Sequence, residues 1–188
     1  MDDEDSTVIH EAYTEYVSYD DAYDLSKQIH GTVEYEGETY ELISKSGDAV
    51  SGTVKGDVEI TLVYSLDADK DETPDKYEAT VSYKVVNGTF EGGVTTVDQS
   101  YVLAEENEDG TWTEVTRYLK DIPVPTANTG YDDADGTWDE TPTTETEVVD
   151  GAEYTYTYTA NAQTLTVNYV MDDEDSTVIH EAYTEYVS

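Results

Sequence analysis

The chain has 188 residues, 45 Asp and Glu against 8 Lys and Arg, three His and no Cys, and a formal charge of −37. So acidic a surface repels phosphate backbones and anionic headgroups, which speaks against nucleic acid, and no stretch reaches the ~18 apolar residues of a membrane span. The lack of Cys removes disulfides, thiol nucleophiles, Cys-ligated zinc and iron–sulfur clusters.

High charge with low hydrophobicity also marks disorder. However, 18 Tyr and two Trp, many alternating with Thr or Val, are the composition of strands. In chain order, TVIHEAYTEYV at 7–17 reads as a strand, followed by a short helix at 19–29 capped by Ser18 or Asp20. Strands follow at 31–35 and 40–44. The stretch 58–64 alternates cleanly, with Val58, Ile60, Leu62 and Tyr64 on one face and Glu59, Thr61 and Val63 on the other. DADKDETPD at 67–75 is charged and free of large apolar residues, the best linker in the chain. Beyond it, KYEATVSYKVV at 76–86 puts Tyr77, Ala79, Val81, Tyr83 and Val85 on one face, and NGTFEGG at 87–93 reads as a hairpin-type turn. Further strands are expected at 94–104, 112–119 and 130–139. AEYTYTYTA at 152–160 turns Tyr154, Tyr156 and Tyr158 one way and three Thr the other, and TLTVNYV at 164–170 alternates in the same manner.

MDDEDSTVIHEAYTEYVS at 1–18 recurs without a change at 171–188, an offset of 170 residues. Chance does not produce such an identity, so 170 residues is the period of a tandem array. TLTVNYV then opens a domain whose second strand is 177–187, and the same second strand at 7–17 lacks that partner. The expected organisation is a β domain at 1–66 without its opening strand, an acidic linker at 67–75, a second β domain at 76–163, and the start of the next repeat at 164–188.

Candidate sites are few. Asp67, Asp69, Asp71 and Asp75 alternate at the junction. Asp132, Asp133, Asp135 and Asp139 form a second run beside Gly136, and Asp2, Asp3, Glu4 and Asp5 a third. Ca²⁺ takes six to eight hard oxygens, which alternate carboxylates on a turning loop supply, and it is the one cofactor the sequence suggests. The first run lacks the sixth-position glycine and the twelfth-position Glu of an EF-hand loop; the competing reading is a solvated acidic loop. Trp112, Tyr131 and Trp138 are candidates for stacking on sugar rings, against the reading that aromatic residues fill a core otherwise short of Phe, Leu and Met. Among 45 acids a carboxylate pair carries no signal for glycoside hydrolysis, no HExxH or GxSxG occurs, and the expectation is a non-enzyme.

The stretches TVNYVMDDEDSTVI at 166–179, YDLS at 23–26, YEGETYELIS at 35–44 and GTVKGDVEITLVYS at 52–65 resemble the mucin-binding (MucBP) domain of Gram-positive cell-surface proteins. SYKVVNGTFEGG at 82–93, GYDDADGTWDETP at 130–142 and TYTYTA at 155–160 resemble a β repeat of similar surface proteins, and the pairing is similar to the larger Mub repeats. The resemblance implies a ubiquitin-like β-grasp fold for 1–66. It also implies an extracellular, cell-wall-attached protein in a Gram-positive bacterium, and a tandem-repeat adhesin for mucin or host glycan, weak per unit and multivalent. The other reading is a passive stalk or filament that projects a distal binding domain, its partners being neighbouring repeats.

Overall fold

A computed structural model describes residues 7–171 and 178–187. Half of the chain is strand and almost none is helix, so the protein is mostly β. In chain order the strands are β1 (Ala22–Asp24), β2 (Thr32–Tyr35), β3 (Glu38–Gly47), β4 (Ser51–Thr53), β5 (Ile60–Asp67), β6 (Glu78–Val86), β7 (Gly88–Thr89) and β8 (Thr96–Val102). They continue with β9 (Ala104–Glu106), β10 (Trp112–Glu114), β11 (Thr126–Ala127), β12 (Tyr131–Trp138), β13 (Glu153–Ala160), β14 (Gln163–Val170) and β15 (Val178–Val187). The chain divides into two compact units. The first comprises Met1–Thr80, Ser100–Tyr118 and Glu147–Asp150; the second comprises Val81–Gln99, Leu119–Thr146 and Gly151–Ser188.

In the first unit β2, β3 and β5 form an antiparallel sheet in that order. Glu36 and Gly37 both hold positive φ (53° and 92°), the two-residue turn whose twist suits a hairpin, and Tyr35 pairs with Glu38 across it. Val33, Leu42 and Val54 are buried. On β5 the expected alternation holds, with Ile60, Leu62 and Tyr64 half-buried and Thr61 and Val63 exposed, although the strand begins later than 58 and runs on to Asp67. Gly47, at φ 101°, lies where a Cβ would sit 2.2 Å from the Glu59 carbonyl oxygen, so no side chain fits at the far end of the β3–β5 ladder.

The helix expected at 19–29 does not form. β1 pairs with β4, the Leu25 N–H donates to the Val50 carbonyl, and the Asp24 carboxylate takes the Ser26 N–H, leaving one 3-10 turn at Ser26–Gln28. The apolar spacing there offers no continuous helical face to bury, so strand pairing prevails. The strand expected at 7–17 is also absent: no residue there belongs to a strand. The expected strand at 112–119 stops at Glu114, after which Tyr118 makes only a single bridge to Glu147.

The second unit is built on a four-stranded sheet in the order β12-β13-β6-β8. β6 carries the run read from the sequence, with Val81, Tyr83 and Val85 buried; Ala79 and Tyr77, which precede them in the first unit, are buried as well. β13 lies parallel to β6, from Glu153 opposite Ser82 to Thr157 opposite Val86. A parallel neighbour needs a long crossover, which residues 87–152 provide. Tyr83 stacks on Tyr154 at 5.7 Å between ring centroids, and Tyr158 is buried with its hydroxyl donating to the Pro125 carbonyl at 2.7 Å. β14 and β15 form a separate two-stranded antiparallel ladder, every described side chain of which is exposed.

Candidate metal centre

β5 ends at Asp67, and the chain then turns through 68–74 into a 3-10 turn at Asp75–Tyr77 and on to Glu78, the first residue of β6. The stretch read as a linker is held from within. Asp67 is 1 % exposed, and its carboxylate accepts the backbone N–H groups of Lys70, Asp71 and Glu72 at 2.8, 3.3 and 3.2 Å. The Asp75 carboxylate takes the Ala68 N–H and that of Asp71 takes the Thr73 N–H. Lys70 and Glu72 hold positive φ, 62° and 74°. A loop that folds back this sharply at non-glycine residues brings alternate side chains to one side.

Two overlapping groups result: carboxylate oxygens of Asp67, Asp69 and Asp71, and of Asp69, Asp75 and Glu78, each lie within 4.8 Å of one another. Burial and then the Asp71 charge raise the Asp69 pKa. Burial raises that of Glu78, followed by the charges of Asp71, Asp69, Asp75 and Asp67. The two lysines of the loop point elsewhere: Lys70 lies 3.9 Å from the Glu34 carboxylate, and Lys76 stands over the Tyr77 ring. Five carboxylates thus face one another with no loop cation between them, the electrostatic situation a divalent ion relieves.

Glu78 was missed in the sequence because the run was followed only to Asp75. Counted from Asp67, positions 1, 3, 5, 9 and 12 are Asp67, Asp69, Asp71, Asp75 and Glu78, and Thr73 supplies the seventh. This is the ligand spacing of an EF-hand loop, with a twelfth-position Glu after all. The sixth position is Glu72, whose positive φ reproduces the turn usually made by glycine.

The second acidic run is arranged otherwise. Residues 131–138 are strand β12, and Asp139 accepts the backbone N–H groups of Glu140 and Thr155, which lower its pKa, Thr155 most. Gly136 serves packing: a Cβ there would lie 2.2 Å from the Tyr156 ring. Among the described residues neither Asp135 nor Asp139 joins a group of three convergent ligands. The side chains of Asp132 and Asp133, and all of Asp2, Asp3, Glu4 and Asp5, lie outside the described residues.

The aromatic candidates are all half-buried. In the first unit Trp112 stacks on the buried Tyr77 at 5.7 Å. In the second, Trp138 packs edge-on against Tyr83 and Tyr156 at 6.2 and 5.1 Å. A shallow groove of ≈ 330 Å³ runs past Trp138, Tyr156 and Tyr158 and is closed on its other side by Pro123, Val124 and Pro125. Tyr131, at the start of β12, is not part of that lining. Tyr154 and Tyr158 are core residues, as the packing alternative holds. The chain matches no family model, no curated protein and no solved structure.

Proposed function

We propose that this chain is a repeat module of an extracellular tandem-repeat protein on a Gram-positive cell wall, a mucin-binding-type adhesin whose first unit, of β-grasp type, is braced by Ca²⁺. The observation that carries this reading is the 18-residue identity at a spacing of 170, because an exact internal copy is the mark of an array. Charge supports it: strongly acidic modules repel their neighbours and keep an array extended. Ca²⁺ belongs at Asp67, Asp69, Asp71, Asp75 and Glu78, where it would join the end of β5 to the start of β6 and offset the repulsion among them.

Two roles remain for such a module. As a stalk it needs no ligand, and the use of Trp112 and Tyr154 in packing supports that reading. As an adhesin it would bind mucin or host glycan, and the Trp138–Tyr156 groove is the surface that favours it. Thermal melting with Ca²⁺ and with chelator tests the brace. Free Ca²⁺ at a hundred times its Kd adds about 2.7 kcal/mol, and Glu78→Gln should remove most of that gain. Equal melting in both conditions overturns it. Binding of one-repeat and three-repeat proteins to immobilised mucin separates the two roles: steep growth with repeat number marks the adhesin, and none above an equally acidic control marks the stalk.

A further inference from the structure

The groove of the second unit lies between one straight segment and three aromatic rings. Residues 122–125, Ile-Pro-Val-Pro, make the segment. Proline fixes its own φ and keeps the residue before it extended, so all four are held out straight. The Tyr158 hydroxyl donates to the Pro125 carbonyl, whereas among the described residues the carbonyls of Ile122, Pro123 and Val124 accept no hydrogen bond from the chain. The rings do not lie flat. Trp138 meets Tyr156 at 5.1 Å and 77°, and Tyr156 meets Tyr158 at 4.8 Å and 64°. Rings so tilted form a corner of π faces, which suits an ammonium group better than the flat stacking of a sugar ring.

Charge sets the sign of the occupant. The lining holds no Lys, Arg or His, so an acidic sugar finds no partner there. Carboxylates adjoin the lining in the chain: Asp121 precedes Ile122, and Asp139 and Glu140 follow Trp138. The Asp139 N–H donates to the carbonyl of Thr155, the neighbour of Tyr156, and the N–H groups of Thr155 and Glu140 hold its carboxylate ionised. A chain carrying −37 repels anions and draws cations in. We propose that this groove takes a sugar with a free, protonated amine, its ammonium in the corner of Trp138, Tyr156 and Tyr158 and its hydroxyls on the open carbonyls of residues 122–124. The inference rests on the adhesin reading of the groove and narrows it: the amino sugar is preferred to its N-acetylated form, and sialylated or sulfated ends are refused. At ≈ 330 Å³ the groove is at the small end of ligand pockets, which suits a short saccharide.

The probes are the glucosamine trisaccharide with free amines, its N-acetylated form and a sialylated trisaccharide. They are titrated at about pH 6, where the amines are protonated, and at about 0.15 M salt to screen distant charges. In the isotope-labelled full chain the indole N–H signals of the two Trp are followed by NMR, with Trp112→Phe to tell them apart. The expected result is a saturable shift of the Trp138 signal, at least about fivefold tighter for the free amine than for the N-acetylated sugar. The sialylated sugar should leave it unmoved. Val124 is 81 % exposed on the groove wall, so Val124→Lys spares the core and changes a net charge of −37 by only one. It should erase the preference for the free amine. A preference that survives Val124→Lys would be diffuse attraction to an acidic chain and overturns the proposal. Equal or tighter binding of the N-acetylated or sialylated sugar overturns it too, while the adhesin reading stands. A Trp138 signal that no sugar moves overturns both and leaves the stalk. Trilysine binding as tightly as the free amine would show an ammonium site with no use for the sugar, which also overturns it.

Discussion

Two stretches of this protein share every residue and differ in structure. Residues 178–187 are strand, and the corresponding 8–17 contain none. Their local contacts agree. His10 Nδ1 donates to the Glu11 carbonyl at 2.9 Å and His180 Nδ1 to that of Glu181 at 2.9 Å, while the Tyr13 and Tyr183 hydroxyls reach Glu15 and Glu185. What differs is the neighbour: β14 pairs with the second copy and sets Tyr169 against His180, whereas His10 of the first lies against the His30 ring at 5.8 Å. The comparison shows that alternation and β-rich composition give a sequence the capacity for a strand. A partner, supplied from elsewhere in the chain, decides whether the strand exists.

The largest expected effect sharpens the contrast between strands held by a core and strands held by a ladder. Tyr83 on β6 is fully buried between Tyr154 and Trp138, so Tyr83→Ala should cost about 3–5 kcal/mol in denaturant unfolding. Tyr183→Ala, on the exposed ladder, should stay within about 0.5 kcal/mol. A loss at 183 comparable to that at 83 would mean that the ladder is covered.

The next test aims to break the comparison. Placing a copy of residues 161–170 ahead of Met1 gives the first stretch the partner of the second. Amide hydrogen exchange at 8–17 should then slow to match 178–187, by tenfold or more, about 1.4 kcal/mol. Unchanged exchange at 8–17 would show that more than the preceding strand separates the two copies.

The smallest effect concerns a ladder with a pinned turn. β9 and β10 pair over only three residues, but Asp109 in their turn accepts the hydroxyl and N–H of Thr111 and pairs with Lys45 Nζ at 2.9 Å. Those hydrogen bonds, the Thr111 hydroxyl first, hold its carboxyl far below the ordinary 3.8. A depressed pKa contributes stability that is present above the unfolded value and lost as pH falls from about 3.8 through the folded one. Asp109→Asn should therefore lower the neutral value slightly and flatten the acid limb of the stability curve below about pH 4, so that the two proteins converge in acid. An acid limb as steep in Asp109→Asn as in the parent would remove Asp109 from the account.

Much of the fold was legible in the sequence, and the reasons are visible in particular residues. The period-2 run from Tyr77 to Val85 was read correctly because burial on one face of a strand writes itself into alternate positions. The helix at 19–29 misled because a capping residue was present while a continuous apolar face was not. Of the candidate centre, the alternate aspartates were plain and Glu78 was overlooked, being separated from them by Lys76 and Tyr77 and already part of β6. Gly136 was noted only as a neighbour of the acidic run, but it lies against the Tyr156 ring twenty residues away in sequence, which no local pattern could reveal.

By itself the sequence determined the β class, the acidic composition, the 18-residue identity at an offset of 170 and the faces of the central strands, because each is read from composition, from direct comparison of two stretches or from residues a few positions apart. The tertiary structure decided which strands found partners, that β13 lies parallel to β6 across 66 intervening residues, and that Asp67 is buried and folds its loop around the Asp69, Asp75 and Glu78 carboxylates. Those outcomes rest on hydrogen bonds and burial between segments far apart in the chain, and two identical stretches carrying different structures are their plainest consequence.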